Sequence, residues 1–189
     1  MRVIAGTARS LPLKAVPGNG TRPTTDRIKE TLFNIIADRI PGCRFLDLFA
    51  GSGAIGIEAL SRGAAFSVFV ESDRKAQQVI RANLEFTHLK EKARIIGAEA
   101  VRTVQSMDGE APFDIIFMDP PYDNGLERKV MEALRATSLV SGNTLLIAEA
   151  SKGTDVSWAQ ATGYEVVREK HYGSNRHVFF KPACQEEME

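Results

Sequence analysis

Predicted strands and helices alternate along the middle of this chain, and this alternation limits the possible folds more than any other feature. Five short apolar segments, each predicted to be a strand, are separated by four segments predicted to be helices. Because strands connected through helices form right-handed βαβ units, the pattern predicts a parallel sheet. The predicted strands are 44–49, 66–71, 93–96, 113–118 and 143–149, and the predicted helices are 54–61, 74–86, 98–106 and 126–137.

The two ends of the chain depart from this alternation. Near the C-terminus, predicted strands 164–172 and 177–181 are joined by Gly173-Ser174-Asn175, which favours an antiparallel hairpin. The fold class is therefore α/β: a Rossmann-like, doubly wound, mostly parallel seven-stranded sheet with a C-terminal antiparallel hairpin. We expect three parts: a short, basic N-terminal β/helix extension over 1–40, a main domain over 41–183, and an acidic tail over 184–189.

Composition excludes several classes of protein. Of the 189 residues, 43% are apolar and 25% are charged, as in soluble globular proteins. No run approaches the roughly 20 apolar residues of a membrane span, and the first residues lack the pattern of a secretion leader. The two cysteines, Cys43 and Cys184, form neither a disulfide framework nor a metal set. We therefore expect a cytoplasmic, metal-free monomer.

The charge is balanced overall but unevenly distributed. Residues 1–29 contain six basic residues and one acidic residue, and residues 166–182 contain four basic residues and one acidic residue. If the two ends meet in space, they form a cationic patch suited to nucleic-acid phosphates. Ordinary solubilising charge explains the same counts, so this alternative stays open.

The first strand-to-helix turn is a candidate nucleotide site. Gly51, Gly53 and Gly56 spell GxGxxG where a doubly wound sheet binds its ligand, so a dinucleotide remains possible. However, Asp47 just before the turn would repel a pyrophosphate. S-adenosylmethionine, which carries an amino-acid head and a sulfonium but no phosphate, fits better.

Acidic residues follow the next two predicted strands. Glu71 is placed to accept both ribose hydroxyls, and Glu99 to accept from an adenine amino group. Either could instead be an ordinary charge at a helix N-terminus. The predicted cofactor contacts are Asp47, Phe49, Gly51, Ser52, Gly53, Glu71, Ser72, Glu99 and Ala100.

The fourth strand runs directly into Asp119, Pro120, Pro121 and Tyr122. The prolines stiffen the loop and remove two N–H donors. The Asp119 carboxylate and a neighbouring carbonyl then offer two acceptors to one NH₂ group, and Tyr122 offers a ring on which a base can stack. This arrangement suits methyl transfer to the exocyclic amine of an extruded base, with Asp119 able to take the departing proton.

These motifs together resemble a known family. Phe49-x-Gly51-x-Gly53 followed by the Asp-Pro-Pro-Tyr motif is similar to the nucleic-acid amino-methyltransferases, which implies a class I S-adenosylmethionine-dependent fold. The segments 2–6, 21–24 and 172–173 resemble the RsmD-type bacterial 16S rRNA guanine-N2 methyltransferases. That resemblance covers roughly residues 1–182 and implies 16S rRNA or the assembling small subunit as partner. Glu99 departs from the family, where Asp or Asn is usual.

Several assignments remain open alternatives. The predicted RNA contacts are Arg9, Lys14, Arg22, Arg27 and Arg176, any of which could instead pair with an acid. Because DNA adenine-N6 methyltransferases share the Asp-Pro-Pro-Tyr motif, that activity is the main alternative. An NAD-binding protein and a noncatalytic RNA-binding module are the others.

Overall fold

The computed structural model describes residues 1–17, 25–121 and 125–183. Its helices and strands follow the predicted alternation closely. The helices are α1 (Asp26–Ile35), α2 (Ala54–Ser61), α3 (Arg74–Phe86), α4 (Ala100–Ser106) and α5 (Leu126–Arg135). The strands are β1 (Arg44–Asp47), β2 (Phe66–Val70), β3 (Ala93–Ile96), β4 (Ile115–Met118), β5 (Leu145–Ser151), β6 (Tyr164–Tyr172) and β7 (Asn175–Pro182). Short 3₁₀ segments lie at Ala37–Arg39, Lys90–Lys92 and Ser157–Thr162.

The strands form one seven-stranded sheet in the order β3-β2-β1-β4-β5-β7-β6. The pairs β1–β2, β2–β3 and β4–β5 are parallel. The pairs β5–β7 and β6–β7 are antiparallel, with Glu149 opposite His177 and Tyr172 opposite Asn175. The predicted Rossmann-like fold with a C-terminal antiparallel hairpin is confirmed.

The chain divides into two compact units, one ending at Ala100 and the next beginning at Val101. In the first, the rings of Phe33 in α1 and Phe45 in β1 stack with their centroids 6.5 Å apart. In the second, the buried Tyr164 donates its hydroxyl to the Met131 carbonyl at 3.1 Å, which ties β6 to α5. The predicted division into 1–40, 41–183 and 184–189 stays a prediction, and 184–189 lies outside the described residues.

Several predicted element ends move by a few residues. β1 stops at Asp47 rather than at 49, and β2 stops at Val70 rather than at 71. After β1 the chain leaves the sheet early because Leu48 and Phe49 form a turn, and after β2 a short segment, 71–73, leads into α3. The described part of the N-terminal extension contains a single isolated bridge, between Arg2 and Pro12, and then α1.

A buried charge cluster joins the N-terminal residues to the sheet's first helices. We call residues 1–17 the N-terminal arm. The arm contacts α2 at Glu58, whose side chain is fully buried. Its carboxylate accepts the Ile4 N–H at 2.8 Å and the Ala5 N–H at 3.0 Å. The same carboxylate pairs with the buried Lys29 at 3.2 Å and with Arg62 at 2.8 Å. The arm, α1 and α2 therefore share one anion.

The balance of charge in this cluster depends on Glu58. Burial lowers the pKa of the Lys29 ammonium, and the neighbouring Glu58 carboxylate opposes that shift. Removing one partner of a buried ion pair leaves an uncompensated charge, which typically costs about 3–5 kcal/mol. The cluster is therefore sensitive to loss of the carboxylate charge.

We predict that Glu58→Gln lowers the free energy of unfolding by about 3–5 kcal/mol, because Lys29 loses its counter-ion while it remains buried. Urea denaturation followed by circular dichroism measures this change.

The matched control is Glu132→Gln in α5. Glu132 pairs with Arg128 at 2.8 Å, but both side chains are about half exposed. An exposed pair of this kind contributes at most about 1 kcal/mol. Equal losses in the two variants would contradict the structural importance assigned to Glu58.

Candidate active site

The turn after β1 is built on glycines in left-handed conformations. Residues 48–53, which we call the glycine turn, connect β1 to α2, and the Gly53 N–H donates to the Ala50 carbonyl at 2.7 Å. Gly51 has φ of 54°, and Gly53, the N-cap of α2, has φ of 80°. Side chains are strained in this region, so the turn requires glycine at both positions.

Gly56 is required for a different reason, which is close packing. A Cβ built at Gly56 would lie 2.4 Å from a ring carbon of Phe69 in β2. The first turn of α2 therefore lies directly against the sheet, and its Gly56 N–H donates to Asp47 at the carboxyl end of β1.

Glu71, the residue after β2, bonds to the glycine turn. Its carboxylate accepts the Gly51 N–H at 2.8 Å and the Asp73 N–H at 2.8 Å. Each carboxylate oxygen has a further acceptor position. Glu71 therefore shapes the turn and remains able to accept hydroxyl donors.

Asp47 is the second carboxylate of the site, and it is almost completely buried. Its Oδ2 accepts the Gly56 N–H at 3.1 Å, whereas Oδ1 has no hydrogen-bond partner among the described residues. Burial raises the pKa of Asp47 to about 7, and the nearby Glu71 carboxylate adds to the rise. The N–H groups of Gly56 and Phe49 oppose it. A buried, unpartnered carboxylate oxygen fits a cationic ligand group.

The remaining predicted cofactor residues are placed less closely. Phe49 and Ser52 are half-buried in the glycine turn, Ala100 is buried, and Ser72 and Glu99 are exposed. The hydrogen bonds between described residues link Asp47 to Gly56 and Glu71 to Gly51, but none brings the Glu99 side chain to them. The cofactor role of these residues stays a prediction.

Two amide side chains of α3 bond to segments of the candidate site, one to the residue after β2 and one to the glycine turn, and the sequence patterns do not predict either. The side-chain nitrogen of Gln77 donates to the Glu71 carbonyl at 2.9 Å, and that of Asn83 donates to the Ser52 carbonyl at 2.9 Å. Both are polar residues on the buried side of an amphipathic helix. A polar residue at a position where the helical pattern expects an apolar one is the sequence signal that could have identified them.

At the end of β4 the chain leaves a fully buried strand. Asp119 is half-buried, Pro120 is buried and Pro121 is exposed, whereas Tyr122 lies outside the described residues. Asp119 therefore directly follows the last residue of β4, Met118. Its catalytic role stays a prediction.

The candidate RNA contacts have different surroundings. Arg9, Lys14 and Arg27 are exposed, and Arg22 lies outside the described residues. The guanidinium of Arg176 donates to Glu169 at 2.7 Å and also to the Thr154 carbonyl. The first bond joins β7 to β6 and the second joins β7 to the segment after β5, so an RNA role for Arg176 competes with a structural one.

The part of the chain that the structure describes contains neither a membrane-spanning helix nor a metal-binding cluster. No helix in the described ranges combines the length and apolar character that crossing a bilayer requires. Residues 1–17, 25–121 and 125–183 also contain no group of three or more His, Cys, Asp or Glu side chains placed to hold a metal ion.

Comparison with known proteins gives a family for the whole chain. The family model described as "Conserved hypothetical protein 95" matches residues 1–181. The chain belongs to this family. The Escherichia coli (strain K12) protein named "Ribosomal RNA small subunit methyltransferase D" is 33% identical over 100% of this chain and 93% of its own. The Bacillus subtilis protein YlbH is 37% identical over 96% of this chain and 98% of its own.

A solved structure supports the same relationship. The Escherichia coli protein yhhF superimposes with a TM-score of 0.82 at 34% identity, covering 98% of this chain and 99% of that one. The resemblance to the RsmD family, inferred from the motifs, is confirmed.

We predict that Asp47→Asn changes how stability depends on pH. Between the ordinary pKa of 3.8 and the folded value of about 7, folded Asp47 keeps a proton that the unfolded chain has released. Stability therefore falls as pH rises through this window. Asparagine removes this fall, so the variant should gain on the wild type by a few kcal/mol between pH 4.5 and pH 7.5. Urea denaturation at both pH values measures the gain.

Asp38→Asn is the control, because exposed Asp38 loses the same charge without burial. Its difference from the wild type should change little between the two pH values. An Asp47→Asn profile parallel to the wild-type profile would refute the raised pKa.

Proposed function

We propose that this protein transfers a methyl group from S-adenosylmethionine to the exocyclic N2 amine of a guanine in 16S rRNA. As a member of the RsmD family it is a methyltransferase, and its relatives named for rRNA methylation support RNA as its substrate. The guanine amine is the finer part of the proposal. A cytoplasmic location and a monomeric state belong to the same proposal.

The observation that carries the proposal is the use made of the N–H groups at the glycine turn. In dinucleotide sites, N–H groups at a helix N-terminus bind phosphate. In this protein, the Gly51 N–H donates to Glu71 and the Gly56 N–H donates to Asp47. The two acidic side chains thus occupy donors that a pyrophosphate would need, and the Glu71 carboxylate would also repel it. This arrangement disfavours NAD and supports a ligand with hydroxyl and ammonium donors.

S-adenosylmethionine presents those donors. Its α-ammonium matches the unpartnered Oδ1 of Asp47, and its ribose hydroxyls match the remaining acceptor positions of Glu71. When bound, the cofactor supplies an electrophilic methyl group on a sulfonium. The protein's residues position this group and the accepting amine.

Asp119 and Pro120 provide acceptors for the amine. An exocyclic amine is a weak nucleophile because its lone pair is delocalised into the ring. The Asp119 carboxylate and a carbonyl of the proline loop accept hydrogen bonds from the two N–H groups of the amine. These bonds favour an orientation in which the nitrogen lone pair points at the methyl carbon. Asp119 then accepts the proton that the amine loses, as a positioned general base does.

Basic residues of the N-terminal arm and α1 supply contacts to the RNA backbone. Arg9, Lys14 and Arg27 expose their side chains, as phosphate contacts require. Arg22, from the segment outside the described residues, is part of the same proposal.

We predict that Asp119→Ala lowers methyl transfer by roughly 10²–10⁴-fold, since the amine loses its acceptor and general base. The assay follows labelled methyl groups from S-adenosylmethionine into total RNA from cells lacking the protein, followed by nucleoside analysis. S-adenosylhomocysteine should still bind the variant.

Glu132→Gln, on the surface of α5, is the control and should keep wild-type turnover. Normal turnover in Asp119→Ala would remove its catalytic role. Label in N2-methylguanosine supports the proposal, whereas label only in N6-methyladenine of added DNA would favour the adenine alternative.

We predict that Glu71→Gln weakens S-adenosylhomocysteine binding by roughly 1–3 kcal/mol, the usual cost of disrupting buried polar pairs. The ribose loses a charged acceptor, and the turn loses charge-assisted bonds from Gly51 and Asp73. Isothermal titration calorimetry measures the dissociation constant.

Glu85→Gln is the matched control on α3. Its exposed carboxylate pairs with Lys90 at 3.3 Å. The Glu85→Gln variant should bind S-adenosylhomocysteine as tightly as the wild type does. An unchanged affinity in Glu71→Gln would exclude the assignment of Glu71 to the ribose.

A further inference from the structure

Asn83 is a buried amide that connects three segments of the first compact unit. It lies near the end of α3 and is 1% exposed. Its side-chain oxygen accepts the Lys14 N–H at 2.9 Å, and its side-chain nitrogen donates to the Lys14 carbonyl at 3.0 Å. The same nitrogen donates to the Ser52 carbonyl at 2.9 Å. One side chain therefore bonds both the N-terminal arm and the glycine turn.

The amide chemistry is matched to this position. The site needs one acceptor and two donors, which asparagine supplies from a single short side chain. Aspartate would keep the acceptor but lose both donors, and alanine would lose all three bonds. Each buried backbone group left without a partner would then destabilise its segment.

The arm touches the glycine turn at a second point. The Ser52 hydroxyl lies 3.8 Å from the sulfur of Met1, and the Leu13 N–H donates to the Met1 carbonyl at 3.1 Å. Residues at both ends of the arm thus contact Ser52 directly or through Asn83. A change in the position of the arm would reach the turn through these bonds.

The arm also presents groups suited to RNA. Lys14 has its backbone bonded to Asn83 while its side chain is exposed, and Arg9 is exposed as well. Among residues 1–17 there is no acidic residue. A phosphate bound by the Lys14 side chain would therefore restrain the same residue whose backbone is hydrogen-bonded to Asn83.

We propose that Asn83 is a positioning residue that couples RNA binding on the N-terminal arm to cofactor binding at the glycine turn. This inference rests on the proposed function and adds a regulatory property to it. RNA bound at Lys14 restrains the backbone that Asn83 bonds, and Asn83 carries this restraint to the Ser52 carbonyl, which favours cofactor binding at the glycine turn. By linkage, the bound cofactor increases RNA affinity by the same factor.

The test measures the coupling factor directly. The dissociation constant of S-adenosylhomocysteine is determined for the full chain alone and with saturating RNA. Two RNA probes are used, naked unmodified 16S rRNA and small subunits from cells lacking the protein, and the probe that the wild type methylates is retained. We expect the RNA to tighten binding to the wild type about fivefold or more. In Asn83→Ala and Asn83→Asp the ratio should fall to about one.

Thr87→Ala is the matched control. Thr87 follows α3, is 5% exposed, and bonds through its hydroxyl to the Asn83 and Leu84 carbonyls. Its loss removes buried hydrogen bonds from the same helix without touching the arm or the glycine turn. Thr87→Ala should therefore lower the melting temperature and keep the wild-type ratio.

The outcomes separate this inference from the proposed function. A wild type that binds S-adenosylhomocysteine and methylates RNA without coupling overturns the inference, as does a folded Asn83 variant with the wild-type ratio. If Asn83→Ala does not fold, the isosteric Asn83→Asp decides. A wild type that binds no S-adenosylhomocysteine and methylates no RNA overturns the proposed function itself.

Discussion

The Glu58 carboxylate organises the first half of this protein. This buried carboxylate in α2 balances the positive charges of Lys29 and Arg62. It also accepts hydrogen bonds from two backbone N–H groups of the N-terminal arm. A buried charge is tolerated only when its hydrogen-bonding capacity is filled. The arm therefore completes the cluster as well as covering it. Since α2 begins at the end of the glycine turn, the anion also determines where that turn stands relative to the arm.

In the candidate cofactor site, too, acidic side chains accept hydrogen bonds from the protein's own backbone. Asp47 and Glu71 each accept a backbone N–H from the segment that they border, Gly56 and Gly51 respectively. The two acidic side chains thus shape the turn, and each keeps an acceptor position that no described residue uses. In the proposed function, these positions receive the hydroxyl and ammonium donors of S-adenosylmethionine. Burial raises the pKa of Asp47 to about 7, and the neighbouring Glu71 carboxylate adds to the rise.

Much of the fold could be predicted because its signals are local. Apolar strands such as Ile115–Met118 and the amphipathic α3 carry their periodicity in consecutive residues. The exact strand ends were less accessible, because Leu48 and Phe49 continue the apolar pattern although the chain already turns there. The order β5-β7-β6 was also not predicted, since a hairpin pattern does not state which of its strands joins the sheet.

The sequence by itself determined the βαβ alternation, the glycine turn with its acidic neighbours, and the family. These depend on residue types within a few positions of one another. Only the tertiary structure decided that Glu58, Asn83 and the arm form one connected frame, because their hydrogen bonds join residues as many as 69 positions apart. The sequence pattern around a buried polar residue does not indicate which distant residue will be its hydrogen-bond partner. Its partner is selected by packing, which places an unsatisfied donor and acceptor within reach only after the chain has folded.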